Sequence, residues 1–144
     1  MGIDVMELER RLIAFDTVSR NSNLGMVDHL EERLKGLGLR VERFASEDGT
    51  KSNVLAALGP LDRGGLMLAG HMDVVPVEGQ AWDSDPFKLR EAEGKLYGRG
   101  TADMKSFIVQ AIAAAEAFRN KKLKLPVHLA FTYDEEVGDR KSVV

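Results

Sequence analysis

The chain has 144 residues, enough for one domain of ordinary size with a real core, and its 44% apolar and 30% charged residues are those of a globular protein. A net charge of -3, with Lys and Arg scattered rather than striped, argues against nucleic acid as a partner and for a small molecule. There is no cysteine, which excludes disulfides and thiolate metal sites and leaves histidine and carboxylates as the ligands any metal would find.

The N-terminus, Met-Gly-Ile-Asp-Val-Met, lacks the basic and apolar regions of a signal peptide, and Met6 stands where a myristoylation signal wants Ser or Thr. No apolar run approaches the roughly 18 residues of a membrane span. A cytoplasmic protein without membrane contact is the expectation.

In chain order, Asp4 and Glu7 read as a capping box, and Val5, Leu8, Leu12 and Phe15 recur at helical spacing, predicting a helix to about Thr17. A second helix runs from about Met26 to Leu37, with Leu30 and Leu34 in step and Gly38 as its cap; His29 on it reads as a surface or packing histidine. Leu39–Phe44 alternates like a half-buried strand, Asp48-Gly49 turns the chain, and Asn53–Leu58 returns as a second strand. Leu66–Ala69, between Gly65 and Gly70, suits a strand buried on both faces of a parallel sheet.

A long polar loop, Val74–Pro86, follows, and loops of that length within a domain tend to be functional. Trp82 in it reads as a packing anchor. Phe87–Glu91 and Lys95–Tyr97 flank Ala92-Glu93-Gly94 as a hairpin. From Met104, the residues Phe107, Ile108, Ala111, Ile112, Ala115 and Phe118 line one face of a helix. Leu125-Pro126 opens a last buried strand, Val127–Tyr133, in which His128 reads as a packed or edge histidine. This order predicts an α/β fold with a mixed, largely parallel sheet flanked by helices, undivided by any linker.

Three element ends carry chemistry. His71 and Asp73 follow the apolar run of Leu66–Ala69, Asp103 precedes the long helix, and Asp134-Glu135-Glu136 closes the last strand. Singly each has a bland reading: a strand-end salt link, a helix cap, a solvated acidic turn. Together they offer imidazole and carboxylates at the strand ends, where open α/β sheets bind ligands, and this mix suits zinc or its first-row neighbours. Two ions roughly 3.5 to 4 Å apart would need a bridging carboxylate, terminal ligands and a base beside the water. Glu135 and Glu136 could divide those roles, since neighbours near a strand end point opposite ways. Gly98-Arg99-Gly100 lacks the remaining residues of a dinucleotide or P-loop fingerprint, and its glycines read as letting the backbone bring Asp103 close.

The motifs Gly70-His71-Met72-Asp73-Val74-Val75-Pro76, Trp82-Asp83-Ser84-Asp85-Pro86-Phe87, Leu96-Tyr97-Gly98-Arg99-Gly100-Thr101-Ala102-Asp103-Met104-Lys105 and Asp134-Glu135-Glu136-Val137-Gly138 resemble those of the co-catalytic zinc amidohydrolases. That family holds acetylornithine deacetylase, succinyl-diaminopimelate desuccinylase, aminoacylases and several di- and carboxypeptidases, and the loop at Trp82 with the segment at Asp103 looks most similar to its deacetylase branch. The resemblance implies two zinc ions, with cobalt a possible substitute. It implies that His71 binds one ion, Glu136 the other, and Asp103 both. It further implies Asp73 as the residue orienting His71, Glu135 as general base, a cis Asp103-Met104 peptide, and an N-acyl amino acid cut in arginine biosynthesis. A desuccinylase, a dipeptidase or a non-catalytic metal-binding or interaction fragment are the alternatives.

Family members continue beyond these motifs with a further carboxylate ligand, a late histidine and a lid domain that often mediates dimerisation. The resemblance therefore implies that residues 1–138 are the N-terminal part of a catalytic metal-binding domain without its lid. Such a chain is expected to be inactive alone, and the full-length protein to be a homodimer. Asp139–Val144 fits the family poorly and matches the translation of a common sequencing adapter, so it is expected to be a non-native tail.

Overall fold

Each helix starts or stops where a side chain or a tertiary contact dictates. In the computed structural model, which describes residues 2–138, α1 (Val5–Ile13) begins at Asp4, whose carboxylate accepts the Glu7 amide at 3.0 Å. Leu8, Leu12 and Ile13 are its buried face. The helix stops short of the expected boundary at Thr17 because the following strap pairs elsewhere. Val18 bridges Val74 in parallel, the Val74 amide donating to the Thr17 carbonyl at 3.1 Å and the Ser19 amide to the Val74 carbonyl at 3.2 Å. Those bonds need extended backbone.

The second helix, α2 (Leu24–Gly36), buries Met26, Val27, Leu30 and Leu34. It closes as expected through Gly38, at φ +84, with the Leu39 amide donating to the Leu34 carbonyl at 3.1 Å and the Gly38 amide to the Lys35 carbonyl at 2.9 Å. His29 on it packs against Phe15, ring centroids 6.0 Å apart, which is the helix-packing role expected.

The strands are β1 (Arg40–Ala45), β2 (Ser52–Leu58), β3 (Leu66–His71), β4 (Arg90–Ala92), β5 (Lys95–Tyr97) and β6 (Val127–Thr132). The main sheet has the order β1-β2-β6-β3, with β6 parallel to β3 and the other two pairings antiparallel. This is the mixed α/β sheet expected, although its parallel share is smaller than "largely parallel" describes. The turn at Asp48-Gly49 folds β2 back onto β1, and α3 (Lys105–Phe118) returns β6 alongside β3, which leaves it antiparallel to β2. The separate hairpin pairs β4 with β5 across Glu93-Gly94, both at positive φ; its first strand begins later than the expected Phe87.

Val54 and Ala56 of β2 and Leu129 and Phe131 of β6 share one core with Leu12, Met26, Leu30, Leu34, Ile108 and Ile112 of the three helices. The helices therefore cover one face of the sheet. Full burial of each of the larger of these side chains contributes about 1.5–3 kcal/mol, so this face holds the fold together. The expectation that β3 is buried on both faces is corrected. Leu66 and Met67 are 58% and 55% exposed and Ala69 is exposed too. The reason is position: among the described residues β3 is an edge strand with β6 as its neighbour, and its other face carries no helix. His128 of β6 is half-buried, the packed histidine expected.

The anticipated non-native tail, Asp139–Val144, lies outside the described residues. Among those described, no helix is long and apolar enough to cross a membrane.

Candidate metal centre

The parallel pair β3–β6 sets the site. His71 lies opposite Thr132, and the Met72 amide extends the ladder to the Thr132 carbonyl at 2.7 Å, so both strands deliver their next residues to one place. After β6 the chain turns at Asp134, φ +64, into a 3-10 turn, Glu135–Val137. Strand alternation ends there, which corrects the expectation that Glu135 and Glu136 diverge. Ligand atoms of His71, Glu135 and Glu136 all lie within 4.8 Å of one another.

His71 is buried, with its two ring nitrogens facing different partners. The Nδ1 side meets the Asp73 carbonyl at 2.8 Å and the Asp73 carboxylate at 3.4 Å. Asp73 is therefore the residue that faces Nδ1, with its backbone oxygen making the closer contact. With the Nδ1 side held by Asp73, Nε2 turns to the open side, where Asp103 Oδ1 lies at 2.9 Å and Glu135 Oε2 at 3.6 Å; a metal ion there would take the place of the Nε2 proton. This is the arrangement a metal-ligating histidine adopts: one nitrogen pinned by the protein, the other turned to carboxylates.

The charges reflect that crowding. Burial lowers the His71 imidazole's basicity, but hydrogen bonds and charge from Asp73, with Asp103 added, outweigh it and raise its pKa to about 9. Burial would likewise raise the Asp73 carboxyl, yet hydrogen bonds from His71, Ser19 and the amides of Glu136 and Glu135 hold it below the usual carboxylate range. The Glu136 carboxyl is pushed up by desolvation first and then by the neighbouring Asp103 charge. A divalent cation among these carboxylates would relieve that repulsion. Neutral imidazole with carboxylates is a donor set that suits zinc, so the residues fit the ion that the resemblance implies.

Asp103 comes from the segment between β5 and α3. Gly100 there has φ +93, and a Cβ on it would stand 3.0 Å from Lys105 Cδ and 3.1 Å from Val74 Cγ1, so only glycine fits this approach. Lys105 is fully buried, its Nζ donating to the Phe15 carbonyl at 2.7 Å and tying α3 to the strap after α1. The Asp103-Met104 peptide is cis, as expected. Trp82 is stacked by Arg99, whose guanidinium carbon is 5.1 Å from the ring, and so anchors its loop as expected.

Two residues of the site were not singled out from sequence. Ser19 Oγ donates to Asp73 Oδ2 at 2.6 Å, and the Lys51 ammonium reaches both the Ser19 carbonyl and the Asp134 carboxylate. Ser19 stands in the mostly polar stretch Thr17-Val18-Ser19-Arg20-Asn21-Ser22-Asn23, where no spacing marks it out from a plain loop. Nothing marks Lys51 out either.

Known proteins resemble the chain in sequence and in fold. Residues 67–143, more than half of the chain, match the family described as Peptidase family M20/M25/M40. The chain is 41% identical over 140 residues to the acetylornithine deacetylase of Proteus mirabilis, covering 92% of this chain and 36% of that protein. Human carnosine dipeptidase 1 superposes with a TM-score of 0.81 at 27% identity, covering 95% of this chain and 33% of that one. An M20 family metallo-carboxypeptidase from Sulfolobus solfataricus gives 0.82 at 21% identity, covering 94% and 32%, which speaks for the fold. The chain spans about a third of the length of these relatives.

Proposed function

The chain belongs to peptidase family M20/M25/M40, and on that premise we propose that it is the N-terminal part of the catalytic metal-binding domain of a hydrolase that cuts the amide bond of N-acyl amino acids. N-acetyl-L-ornithine, giving L-ornithine and acetate, is the substrate favoured by the similarity to acetylornithine deacetylase. The observation that carries the reading is the divided imidazole of His71, pinned at Nδ1 by Asp73 and facing Asp103, Glu135 and Glu136 at Nε2.

In this reading His71, Asp103 and Glu136 would hold two zinc ions, or cobalt in their place, with Asp103 the ligand that would serve both. When bound, such ions polarise the scissile carbonyl and lower the pKa of water from about 15.7 to about 7. Asp73 keeps the proton of His71 on Nδ1, so that Nε2 stays free to ligate. Glu135 takes a proton from the attacking water as its oxygen bonds to the acyl carbon. It then gives that proton to the amine nitrogen as the carbon–nitrogen bond breaks.

The whole protein would be a cytoplasmic homodimer acting in arginine biosynthesis. Its substrate choice is tested by assaying N-acetyl, N-succinyl and dipeptide substrates with the complete gene product: the acetyl compound should turn over fastest, and a preference for succinyl or peptide would move the assignment within the family. The 144-residue chain alone, folded and supplied with zinc, is expected to show no hydrolysis of N-acetylornithine. Turnover by it would overturn the reading that further ligands are needed. A non-catalytic metal-binding fragment is the second reading; failure of the complete product on every substrate would select it.

A further inference from the structure

We propose that Ser19 is a positioning residue of the metal centre: through Asp73 it sets the 3-10 turn that carries Glu135 and Glu136, while Lys51 braces the same turn through Asp134. The inference rests on the metal-centre reading and brings two further segments into it, the strap after α1 and the residue that leads into β2.

The turn has no core of its own. None of its residues, Glu135–Val137, is buried, so apolar packing does not hold it. What holds it is Asp73, whose Oδ1 accepts the Glu135 amide and Oδ2 the Glu136 amide, each at 3.2 Å. Both bonds are long. The shortest bond to the carboxylate is that from Ser19 Oγ, at 2.6 Å on Oδ2, and hydrogen bonds to a charged oxygen are the strong ones. Ser19 is 6% exposed and Asp73 2%, so no solvent stands ready to replace that hydroxyl.

Ser19 is itself fixed at both ends of its backbone. Its amide donates to the Val74 carbonyl at 3.2 Å, and its carbonyl accepts from Lys51, which also pairs with Asp134 at the entry to the turn. The contacts close a ring that runs Ser19, Asp73, Glu135–Glu136, Asp134, Lys51 and back to Ser19. Loosening one member lets the carboxylate of Asp73 rotate about its own side chain and releases the turn. The ligand atoms of Glu135 and Glu136 then lose their fixed distance from His71 Nε2.

The test uses the 144-residue chain, its Ser19→Ala and Ser19→Thr variants, and Lys51→Met. Amide hydrogen exchange is followed at Glu135, Glu136 and the β2 and β6 strands without metal, and zinc affinity is measured by titration. Ser19→Ala should speed exchange at Glu135 and Glu136 selectively and weaken zinc about tenfold, the lower end of what partners that orient ligands control. Lys51→Met should do the same to a lesser degree, and Ser19→Thr, which keeps the hydroxyl, should restore both readouts. Unchanged exchange at the two glutamates, or an equal rise across β2 and β6, would overturn the inference, the latter by making Ser19 only a brace of the fold. If the parent chain takes up no zinc while exchange responds selectively, the positioning of the turn stands and the metal-centre reading alone fails.

Discussion

Asp73 and Asp103 bring the same functional group to the two nitrogens of one imidazole, and the fold treats them in opposite ways. Asp73 is buried, and its oxygens accept from Ser19 and two backbone amides as well as facing His71 Nδ1. Asp103 has a side chain that is 69% exposed and meets His71 Nε2 from the open side. The first carboxylate has committed its lone pairs to the protein, while the second keeps most of its own on the open side. Burial and hydrogen-bond count thus assign the two, in the proposed metal centre, to opposite tasks: one to hold the site together, the other to meet a ligand.

The contrast breaks most visibly if the buried partner is removed. Asp73→Ala leaves the Ser19 hydroxyl and the Glu135 and Glu136 amides without their acceptor, and should cost about 3–5 kcal/mol in urea denaturation. A loss under about 1 kcal/mol would put Asp73 in the same class as Asp103. Next in size, Gly100→Ala sets a side chain at φ +93 against Lys105 and Val74 and should destabilise by about 1–3 kcal/mol. A neutral Gly100→Ala would mean that the approach of the Asp103 segment does not depend on glycine.

Asp103→Ala sharpens the comparison from the other side. It should leave stability within about 0.5 kcal/mol of the parent, as exposed substitutions do, while zinc affinity measured by titration falls. A stability loss as large as that of Asp73→Ala would erase the distinction. Glu9 supplies a third carboxylate, buried like Asp73 but shifted the other way. Desolvation raises its pKa above 4.5 against the opposing hydrogen bond from Ser106 and the charge of Lys105. The folded chain therefore holds this proton more tightly than the unfolded one, and the contribution of Glu9 to stability falls as pH rises from about 4.5 through its raised value. Glu9→Gln mimics the protonated form. Its thermal midpoint relative to the parent should climb by a few degrees at most across that window, and a flat difference would contradict the shift.

Periodicity made the three helices legible because each buries one stripe, and turn chemistry located the β4–β5 hairpin. The site was legible where its residues end regular elements: His71 after an apolar run, Asp103 before a helix, Glu135 and Glu136 after a strand. What escaped was set by contacts distant in sequence. An apolar run such as Leu66–Ala69 announces a strand but not how many neighbours it has, so the exposure of Met67 could not be read from it. The early end of α1 follows from the bridge of Val18 to Val74. Ser19 reaches Asp73 across 54 positions and Lys51 reaches Asp134 across 83, with no local pattern to mark either bond.

The central claim, that the open side of His71 and its three carboxylates hold a divalent metal, is tested most directly by zinc titration of the folded 144-residue chain beside His71→Ala. Saturable uptake by the parent, lost in a variant with an unchanged circular-dichroism spectrum, is the predicted result. Uptake that survives His71→Ala unaltered, or a folded parent that takes up no zinc, would contradict it.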